Sequence, residues 1–469
     1  MFCIFEKNYV YLFFIALFFF IPRIFLIIFF NETAGDEAKY LDVANNILYN
    51  CGVSILVNNE CVPFFGANGP GYSFFLATIF FFENNKNLAL IVQMIFHFLS
   101  IIYLMTVLKN IYKKNIIVFS IGFILSISPI TMGWTRFILT ETLMISLTIF
   151  LMSEIINIYY KKKNFWFMGL ILLFMTFIRF ESFLLLLPTI FFIFKTSERK
   201  NLIKNSFSFL LIIIVPWLFW TSRNYIKNVE LIPNLDRAYE LSTGYSIPNG
   251  YMLWTRTWQT NQYQNISSNF LVLYHKDRTE NFTYEISIDD KIFRSNKEKV
   301  ETKMLLDNLK KNKGKPFPKE IDLEFLKLAK KRIDDNKFYY YIGLPIIKSF
   351  NIWINPFYSF GLPIEISPKN YSSNFKNISN IFFDRPIEVI FKILVFTWFL
   401  IFLFYFIKIQ FNKVYNKKNY INNYIIIFFL VKTAFLAIFT FLETRYIINV
   451  FQMVEIFSLI YFFSRKYQK

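Results

Sequence analysis

The sequence predicts an all-α, multi-pass membrane protein with about ten transmembrane helices and an extracytoplasmic, mostly α-helical soluble region. Of its 469 residues, 55% are hydrophobic, 18% are charged and 63 are Phe. A helix needs about 20 apolar residues to cross about 30 Å of hydrocarbon. Ten segments approach or reach that length: 9–30, 88–108, 115–133, 138–158, 165–178, 181–194, 205–222, 386–407, 420–441 and 446–464. The fifth and sixth are short, and form either two crossings or one re-entrant unit broken at Arg179.

The distribution of Lys and Arg predicts the topology. These residues cluster in alternate short loops, as the positive-inside rule describes. The clusters are Lys109, Lys113 and Lys114; Lys161, Lys162 and Lys163; Lys195, Arg199, Lys200 and Lys204; Lys408, Lys413, Lys417 and Lys418; and Arg465, Lys466 and Lys469. We therefore expect a protein of the inner (cytoplasmic) membrane with both termini in the cytoplasm. The net charge of +19 is spread over these separate loops and does not form one basic patch. It therefore does not indicate a nucleic-acid partner.

Three regions are predicted along the chain. Residues 1–222 form an N-terminal transmembrane module with an outward loop at 31–87, residues 223–385 form the extracytoplasmic soluble region, and residues 386–469 form the C-terminal transmembrane helices. In the outward loop, apolar spacing predicts an amphipathic helix from Glu37 to Tyr49, with Asp36 as its N-cap, and a second helix at 72–82. In the soluble region we expect helix at 297–332, interrupted by a turn, and an interfacial helix at 338–356 with Trp353 at headgroup level.

Charged residues that interrupt the apolar pattern are expected on the outward side only. Each ionisable group costs about 2.5–3.5 kcal/mol at a helix centre, so a cluster at one membrane face indicates a polar site. The residues are Asp36, Glu37, Arg136, Glu141, Arg179, Glu181, Arg223, Glu443 and Arg445.

Asp36 and Glu37 are the first candidates for chemistry. Adjacent residues of a helix point about 100° apart, so these two carboxylates are not expected to share one proton. One of them can serve as general base for a hydroxyl or amine acceptor. The alternative is structural, because acidic residues at a helix N-terminus also stabilise the helix dipole.

Five motifs, in order along nearly the whole chain, resemble those of one enzyme superfamily. They are Asp36-Glu37 with Tyr40 and the later turn Pro70-Gly71-Tyr72; WTRFILTETLM with Arg136 and Glu141; FIRFES with Arg179; PWLFWTSRNY with Arg223; and FLETRY with Glu443, Arg445 and Tyr446. The set resembles the polyprenyl-phosphate-sugar-dependent membrane glycosyltransferases of the GT-C superfamily. This class includes the family 39 protein O-mannosyltransferases and the lipid A aminoarabinose transferases. The chain departs from the family pattern at Gly69 and Phe180, where members carry proline.

The resemblance implies a GT-C type fold and inverting transfer of a sugar from a polyprenyl monophosphate carrier to an extracytoplasmic acceptor. Lipid A, a cell-surface glycan and a protein all stay open as acceptors, and the lipid bilayer supplies the donor. The implied roles are catalysis for Asp36, Glu37 and Glu141; donor-phosphate binding for Arg223, Arg445 and Arg179; and acceptor or loop positioning for Tyr40, Arg136, Pro70, Gly71, Tyr72, Glu443 and Tyr446. The arginines also fit a structural interpretation, as ion-pair partners of Glu141, Glu181 or Glu443, and the two roles are compatible.

Neither a cofactor nor a metal is required by this interpretation. The three Cys and two His lack the spacing of a zinc site, although the sequence leaves open a Mg²⁺ held by Glu141. Cys51 and Cys61 share the outward loop, and either pair as a disulfide or stay as two thiols. The competing function is a transporter or flippase of lipid-linked sugars. A transporter would place its polar residues near the bilayer midplane, whereas here they are expected at the ends of the spans.

Overall fold

The computed structural model describes residues 9–30, 36–49, 51–57, 60–63, 69–112, 114–161, 165–229, 248–260, 290–311, 317–354, 386–411, 420–439 and 444–467. The first part contains α1 (Tyr9–Phe29), α2 (Glu37–Leu48), β1 (Ser54–Val57), β2 (Glu60–Pro63), α3 (Gly71–Phe82), α4 (Lys86–Lys109), α5 (Asn115–Ser126), α6 (Pro129–Met132), α7 (Thr140–Lys161), α8 (Trp166–Ile178), α9 (Leu186–Thr196) and α10 (Leu202–Ile226). The second part contains α11 (Asn249–Arg256), α12 (Asn296–Lys311), α13 (Lys319–Asp335), α14 (Leu344–Trp353), α15 (Pro386–Gln410), α16 (Tyr420–Phe439) and α17 (Ile448–Tyr467).

Seven of the described helices are long and apolar enough to cross a membrane, and the chain is a helical membrane protein. They are α1, α4, α7, α10, α15, α16 and α17. The pair α5 and α6, bent by 47°, makes an eighth if it is counted as one span. Helix α8 is apolar but shorter, and it ends at the predicted break. Arg179 follows it in extended backbone, a 3-10 helix spans Phe180–Leu185, and α9 then begins.

The loop 31–87 is helical where predicted but also contains a β-hairpin. Both α2 and α3 form at the expected positions, whereas β1 and β2 pair antiparallel and were not predicted. The pairing register sets Leu56 opposite Cys61. A disulfide joins Cys51 to Cys61, whose Cα atoms are 5.7 Å apart, within the usual range for such a bond. The segment between α2 and α3 is therefore cross-linked.

The described helices between residues 249 and 335 share a hydrophobic core of their own. Tyr251 and Trp254 of α11 are fully buried against Phe325 of α13. The Asp322 carboxylate accepts hydrogen bonds from the backbone N–H groups of Gly250 and Tyr251, at 3.1 and 2.8 Å, and so caps α11. The prediction of helix on both sides of a turn in 297–332 is confirmed by α12 and α13.

Helix α14 connects this core to the membrane helices. Asn351 Nδ2 donates to the Thr260 carbonyl at 2.8 Å, and Trp353 Nε1 donates to Thr433 Oγ1 of α16, also at 2.8 Å. The Trp353 ring stacks on Phe429 with centroids 4.3 Å apart. The indole of Trp353 is thus buried against α16, and its predicted position at headgroup level stays a prediction.

Charged residues also lie within the apolar helices, so the expectation that they gather only at outward ends is wrong. Arg23 of α1 is fully buried and donates to the Phe19 and Ser126 carbonyls at 3.0 and 2.7 Å. Ion pairs and hydrogen bonds of this kind offset the desolvation of a charge in hydrocarbon. A hydropathy average over a whole span hides single charges of this kind.

Two more buried carboxylates show the same behaviour. Glu154 of α7 accepts a hydrogen bond from Tyr103 of α4. Glu455 of α17 accepts one from Trp398 Nε1 of α15 at 2.8 Å. Each carboxylate thus joins two helices.

Candidate active site

The candidate site lies at one end of the helix bundle, which we call the upper end: the end at which α1 ends and α4 begins. Arg445, in the 3-10 turn Thr444–Ile447 before α17, donates from Nη1 to Asp36 Oδ2 at 2.8 Å. The two residues are 409 positions apart in the sequence. Their side chains are 24% and 35% exposed. The pair therefore joins the two ends of the chain and stays open to solvent.

Asp36 occupies the predicted N-cap position of α2, but its side chain makes no capping hydrogen bond. The carboxylate turns to Arg445 instead. Burial alone would raise the pKa of the Asp36 carboxyl, but the charge and hydrogen bond of Arg445, together with Lys39 and Arg179, hold that pKa below its usual value. Asp36 is consequently ionised at neutral pH and able to accept a proton.

A buried ion-pair network lies beside this pair. Arg179 Nη2 contacts Glu141 Oε1 at 2.9 Å, and the two side chains are 3% and 1% exposed. Arg179 Nε also donates to Thr140 Oγ1 at 2.9 Å. The guanidinium groups of Arg179 and Arg445 lie 5.2 and 5.4 Å from the centre of the Tyr446 ring. Tyr446 therefore separates two cations that face one site.

The network continues into α16 through a residue that the sequence did not indicate. Glu181 Oε1 lies 3.7 Å from Arg179 Nη1 and 2.8 Å from Lys432 Nζ. Lys432 is buried at 2% side-chain exposure. Two acids and two bases therefore alternate, in the order Glu141, Arg179, Glu181 and Lys432. Because Lys432 lies inside a predicted span, its position gave no reason to place it at the site.

Glu37 is buried and faces a different partner from that of Asp36. Its Oε1 lies 2.5 Å from Nζ of Lys86, at the start of α4. The expectation that the two adjacent acids act separately agrees with this geometry. Lys86, like Lys432, was missed, since nothing in the spacing of the loop sets it apart from other lysines.

Two tyrosines pack under α2. The rings of Tyr40 and Tyr72 meet edge to face with centroids 4.9 Å apart. Tyr72 donates from its hydroxyl to Gln93 Oε1 at 3.2 Å, and Gln93 Nε2 donates to the Phe137 carbonyl at 2.8 Å. Gln93 was also missed. It links Tyr72 to the segment that leads from Arg136 into Glu141.

The turn that begins α3 packs directly on the segment leading to Arg179. Gly69 has a φ of +133°, which an L side chain rarely adopts. A Cβ at Gly71 would fall 2.8 Å from the Phe177 carbonyl carbon. Pro70, between them, is the N-cap of α3. Glycine at both positions allows the backbone to approach α8 closely, and this approach places the turn beside Arg179.

Arg136 binds a backbone carbonyl just before the loop 31–87, and Arg223 binds one within it. Arg136, almost fully buried, donates to the Phe30 carbonyl at 2.7 Å, where α1 ends. Arg223, near the end of α10, donates to the Val53 carbonyl at 2.6 Å and to Asn224 Oδ1 at 2.8 Å. Both arginines position the loop that carries Asp36.

The structure brings together most of the predicted site residues at the upper end. Asp36, Arg445, Tyr446, Arg179 and Glu141 form the centre, while Glu37, Tyr40 and Tyr72 lie beside it under α2. Arg223 instead contacts the loop before β1. Glu443 lies outside the described residues. Within the described part of the chain, no three His, Cys, Asp or Glu side chains group closely enough to hold a metal ion.

These features define a helical membrane protein with a polar site at one end of its bundle. Residues 67–220 match the family model of the dolichyl-phosphate-mannose-protein mannosyltransferases, which confirms the predicted resemblance over that segment. The segment carries the Pro70-Gly71 turn, Glu141 and Arg179, whereas Asp36 and Arg445 lie outside it. The match supports a membrane glycosyltransferase that uses a polyprenyl-phosphate sugar. No curated protein and no solved structure gives a significant match to the chain.

Proposed function

We propose that the protein transfers a sugar, with inversion, from a polyprenyl monophosphate carrier to an acceptor at the outer face of the cytoplasmic membrane. The observation that carries the proposal is the Asp36–Arg445 pair, a carboxylate and a guanidinium in contact at 2.8 Å beside the buried Arg179. A general base and a phosphate-binding cation are the two groups that this reaction needs most. The family match supports the donor class.

Asp36 is the proposed general base. It takes the proton of the acceptor hydroxyl or amine as that atom attacks the anomeric carbon from the face opposite the phosphate. The bond from the anomeric carbon to the phosphate oxygen breaks, and polyprenyl phosphate leaves with the electron pair. Efficient general bases have a pKa near the working pH, whereas Arg445 lowers the pKa of Asp36.

In the proposed mechanism, donor binding raises the pKa of Asp36 towards the working pH. The phosphate of the donor competes with Asp36 for Arg445, because a guanidinium binds phosphate and carboxylate in the same geometry. When Arg445 turns to the phosphate, Asp36 loses its strongest partner and its pKa rises. The same exchange stabilises the negative charge of the leaving phosphate. In this proposal, donor binding therefore replaces Asp36 by phosphate as the partner of Arg445.

The buried network holds the second cation in place. Arg179 contacts Glu141 and Glu181, and Lys432 lies beyond Glu181. We assign Arg179 to the phosphate and Arg223 to the rim of the donor site. Glu37 and Glu141 orient the loop and the acceptor through their fixed partners. Tyr40, Tyr72 and Tyr446 position these groups by packing.

The test is turnover by the purified full-length protein in lipid nanodiscs with a panel of fluorescent polyprenyl phosphate sugars and a membrane-envelope acceptor extract. Release of free polyprenyl phosphate that depends on both donor and acceptor supports the transferase. An Asp36→Asn preparation, matched in amount and helix content, gives the background. Absence of release across the panel, with the donor bound, would overturn the proposal.

A transporter or flippase is the second candidate, because charged residues such as Arg23 and Glu455 lie within apolar helices. Each of them is engaged by a neighbouring helix: Arg23 by the Ser126 carbonyl and Glu455 by Trp398. We therefore assign them to helix packing. Movement of labelled donor across proteoliposomes without cleavage would favour the transporter, and release of polyprenyl phosphate at one face would favour the transferase.

A further inference from the structure

A polar cavity of about 380 Å³ lies at the lower end of the bundle, opposite the candidate site. It is lined where α7 ends, α8 begins, α9 ends and α10 begins. Lys204 of α10 lines the cavity, while Arg223 at the upper end is 19 residues further along the same helix, a rise of about 28 Å. The cavity is thus separate from the candidate active site.

One wall of the cavity is rich in hydrogen-bonding groups. It is formed by Thr196, Ser197, Asn201, Lys204, Asn205 and Ser208. Asn205 Nδ2 donates to Ser197 Oγ at 3.2 Å, which fixes the orientation of both side chains. A lysine with several neutral donors around it suits a phosphate group, which has oxygens that accept from each.

The segment that forms this wall carries more basic than acidic side chains. The segment 195–204 contains Lys195, Arg199, Lys200 and Lys204 against the single acid Glu198. Glu198, which also lines the cavity, is 3.5 Å from Lys200 Nζ, while Lys204 forms no ion pair among the residues that the structure describes. Among the described residues that line the cavity, Lys204 is the one base, and its ammonium can bind a ligand.

Two helices begin at the cavity. Their N-caps are Phe165 for α8 and Asn201 for α10, and neither side chain caps its helix. The first N–H groups of a helix and the positive end of its dipole attract anions. The ends of α7 and α9 also meet at the cavity and oppose this effect, so the positive charge comes from Lys204, which is on the first turn of α10.

The surroundings point to a lipid as the molecule that presents the phosphate. Trp166 is exposed at the mouth of the cavity, as an indole at a membrane interface is. From Ile203, exposed apolar side chains continue along one face of α10 at Phe207, Leu211 and Leu218, near helical spacing. An acyl chain can lie along this face while its headgroup occupies the cavity.

We propose that this cavity binds the phosphate of a membrane phospholipid, with Lys204 as its cation and the cavity hydroxyls and amides as donors. The site belongs to the leaflet on the side of the protein opposite the active site. It does not depend on the proposed sugar transfer.

The experiment is native mass spectrometry of the full-length protein in detergent, titrated with dioleoyl phosphatidylglycerol. Wild type is expected to retain one lipid, and Lys204→Ala is expected to raise the apparent Kd by about tenfold or more, as loss of a charged hydrogen bond does. The matched control is Lys195→Ala. It removes the same charge from the same segment, but Lys195 is exposed and does not line the cavity, and Glu198 keeps Lys200 as its partner, so a change of less than about twofold is expected.

Two further arms identify the ligand. Dioleoylglycerol has the same chains without the phosphate, and is expected to bind no more tightly to wild type than to Lys204→Ala. Inorganic phosphate is expected not to displace the lipid at millimolar concentration. Equal losses of affinity in Lys204→Ala and Lys195→Ala would overturn the proposal. It would also be overturned if wild type bound dioleoylglycerol as tightly as dioleoyl phosphatidylglycerol. Displacement of the lipid by inorganic phosphate would show that the cavity binds free phosphate, and would overturn the proposal that a phospholipid supplies the phosphate group. Unchanged melting of both variants excludes misfolding as the cause.

Discussion

Two ion-pair groups meet at the upper end of the bundle and differ in exposure. Asp36 and Arg445 are 35% and 24% exposed, whereas Glu141 and Arg179 are 1% and 3% exposed. Fully exposed pairs contribute about 0–1 kcal/mol. Asp36 and Arg445 are partly exposed and screened by solvent, so this pair can exchange partners at a lower cost than a buried one. Breaking a buried pair leaves an uncompensated charge and costs about 3–5 kcal/mol. The same chemistry therefore serves as a replaceable contact in one group and as a fixed support in the other.

The comparison depends most on the role of Asp36. Asp36→Asn keeps the shape of the side chain and removes the base, so turnover is expected to fall about 10²–10⁴-fold while folding is unchanged. Rates of polyprenyl phosphate release, normalised to folded protein, measure it. Asp42→Asn is the control, since Asp42 lies on the same helix and contacts the backbone N–H of Leu56 at 3.4 Å. A near wild-type rate in Asp36→Asn would move the base to Glu37 or Glu141.

The second prediction compares how much the buried Arg179 and the partly exposed Arg445 contribute to the stability of the protein. Arg179→Ala is expected to lower the free energy of unfolding by about 3–5 kcal/mol, because Glu141 loses its buried partner, whereas Glu181 keeps Lys432. Arg445→Ala is expected to change it by about 1 kcal/mol or less. Thermal unfolding in one detergent compares the two. Equal losses would show that the exposed pair is also structural.

Much of this arrangement follows from the sequence, for a physical reason. Alternate crossing of the membrane brings the ends of every second helix to one face, so motifs at those ends meet although Asp36 and Arg445 are 409 residues apart. Hydropathy places the helices because about 20 apolar residues suffice for a span. Residues 54–57 and 60–63 flank a two-residue connection, and such a connection between two short strands is typical of a β-hairpin. The β-hairpin could therefore have been predicted from the sequence.

The partners inside the bundle could not be predicted in the same way. Lys432 pairs with Glu181 and Gln93 bonds the Phe137 carbonyl, and each contact depends on how helices rotate and pack. Hydrophobic periodicity does not fix the rotation of a span that is apolar on all sides. Single charges within such spans were consequently overlooked.

The third prediction concerns donor affinity. Arg445→Ala is expected to weaken donor binding about 10–150-fold, since a hydrogen bond to a charged group contributes about 1.5–3 kcal/mol. Arg223→Ala is expected to have an effect in the same direction. Titration with the fluorescent donor, under conditions without acceptor, measures both. Arg199→Ala, at the lower end, is the control. Unchanged donor affinity in both site variants would leave these arginines as structural residues.

The fourth prediction uses the pKa of Asp36. Arg445 holds that pKa below its usual value, so the carboxylate loses its charge only at low pH, and activity falls as the pH decreases through the pKa. Arg445→Gln removes the positive charge and therefore raises the pKa of Asp36. The acidic limb of kcat/KM, which reports the free enzyme, is expected to move to higher pH. A limb that stays in place would mean that another group controls it.

The smallest expected effect is that of metal removal. This experiment tests whether Glu141 only pairs with Arg179 or also binds a Mg²⁺ ion. Glu141 Oε1 accepts from Arg179 at 2.9 Å, and Oε2 lies 3.4 Å from Thr140 Oγ1. A Mg²⁺ on this carboxylate would have to displace Arg179, and two cations would then compete for one buried acid. We therefore expect turnover to change less than about twofold after treatment with EDTA, with a known magnesium enzyme as the positive control. Loss of turnover that added Mg²⁺ restores would show that Glu141 exchanges partners too, and the contrast between the two ion-pair groups would then fail.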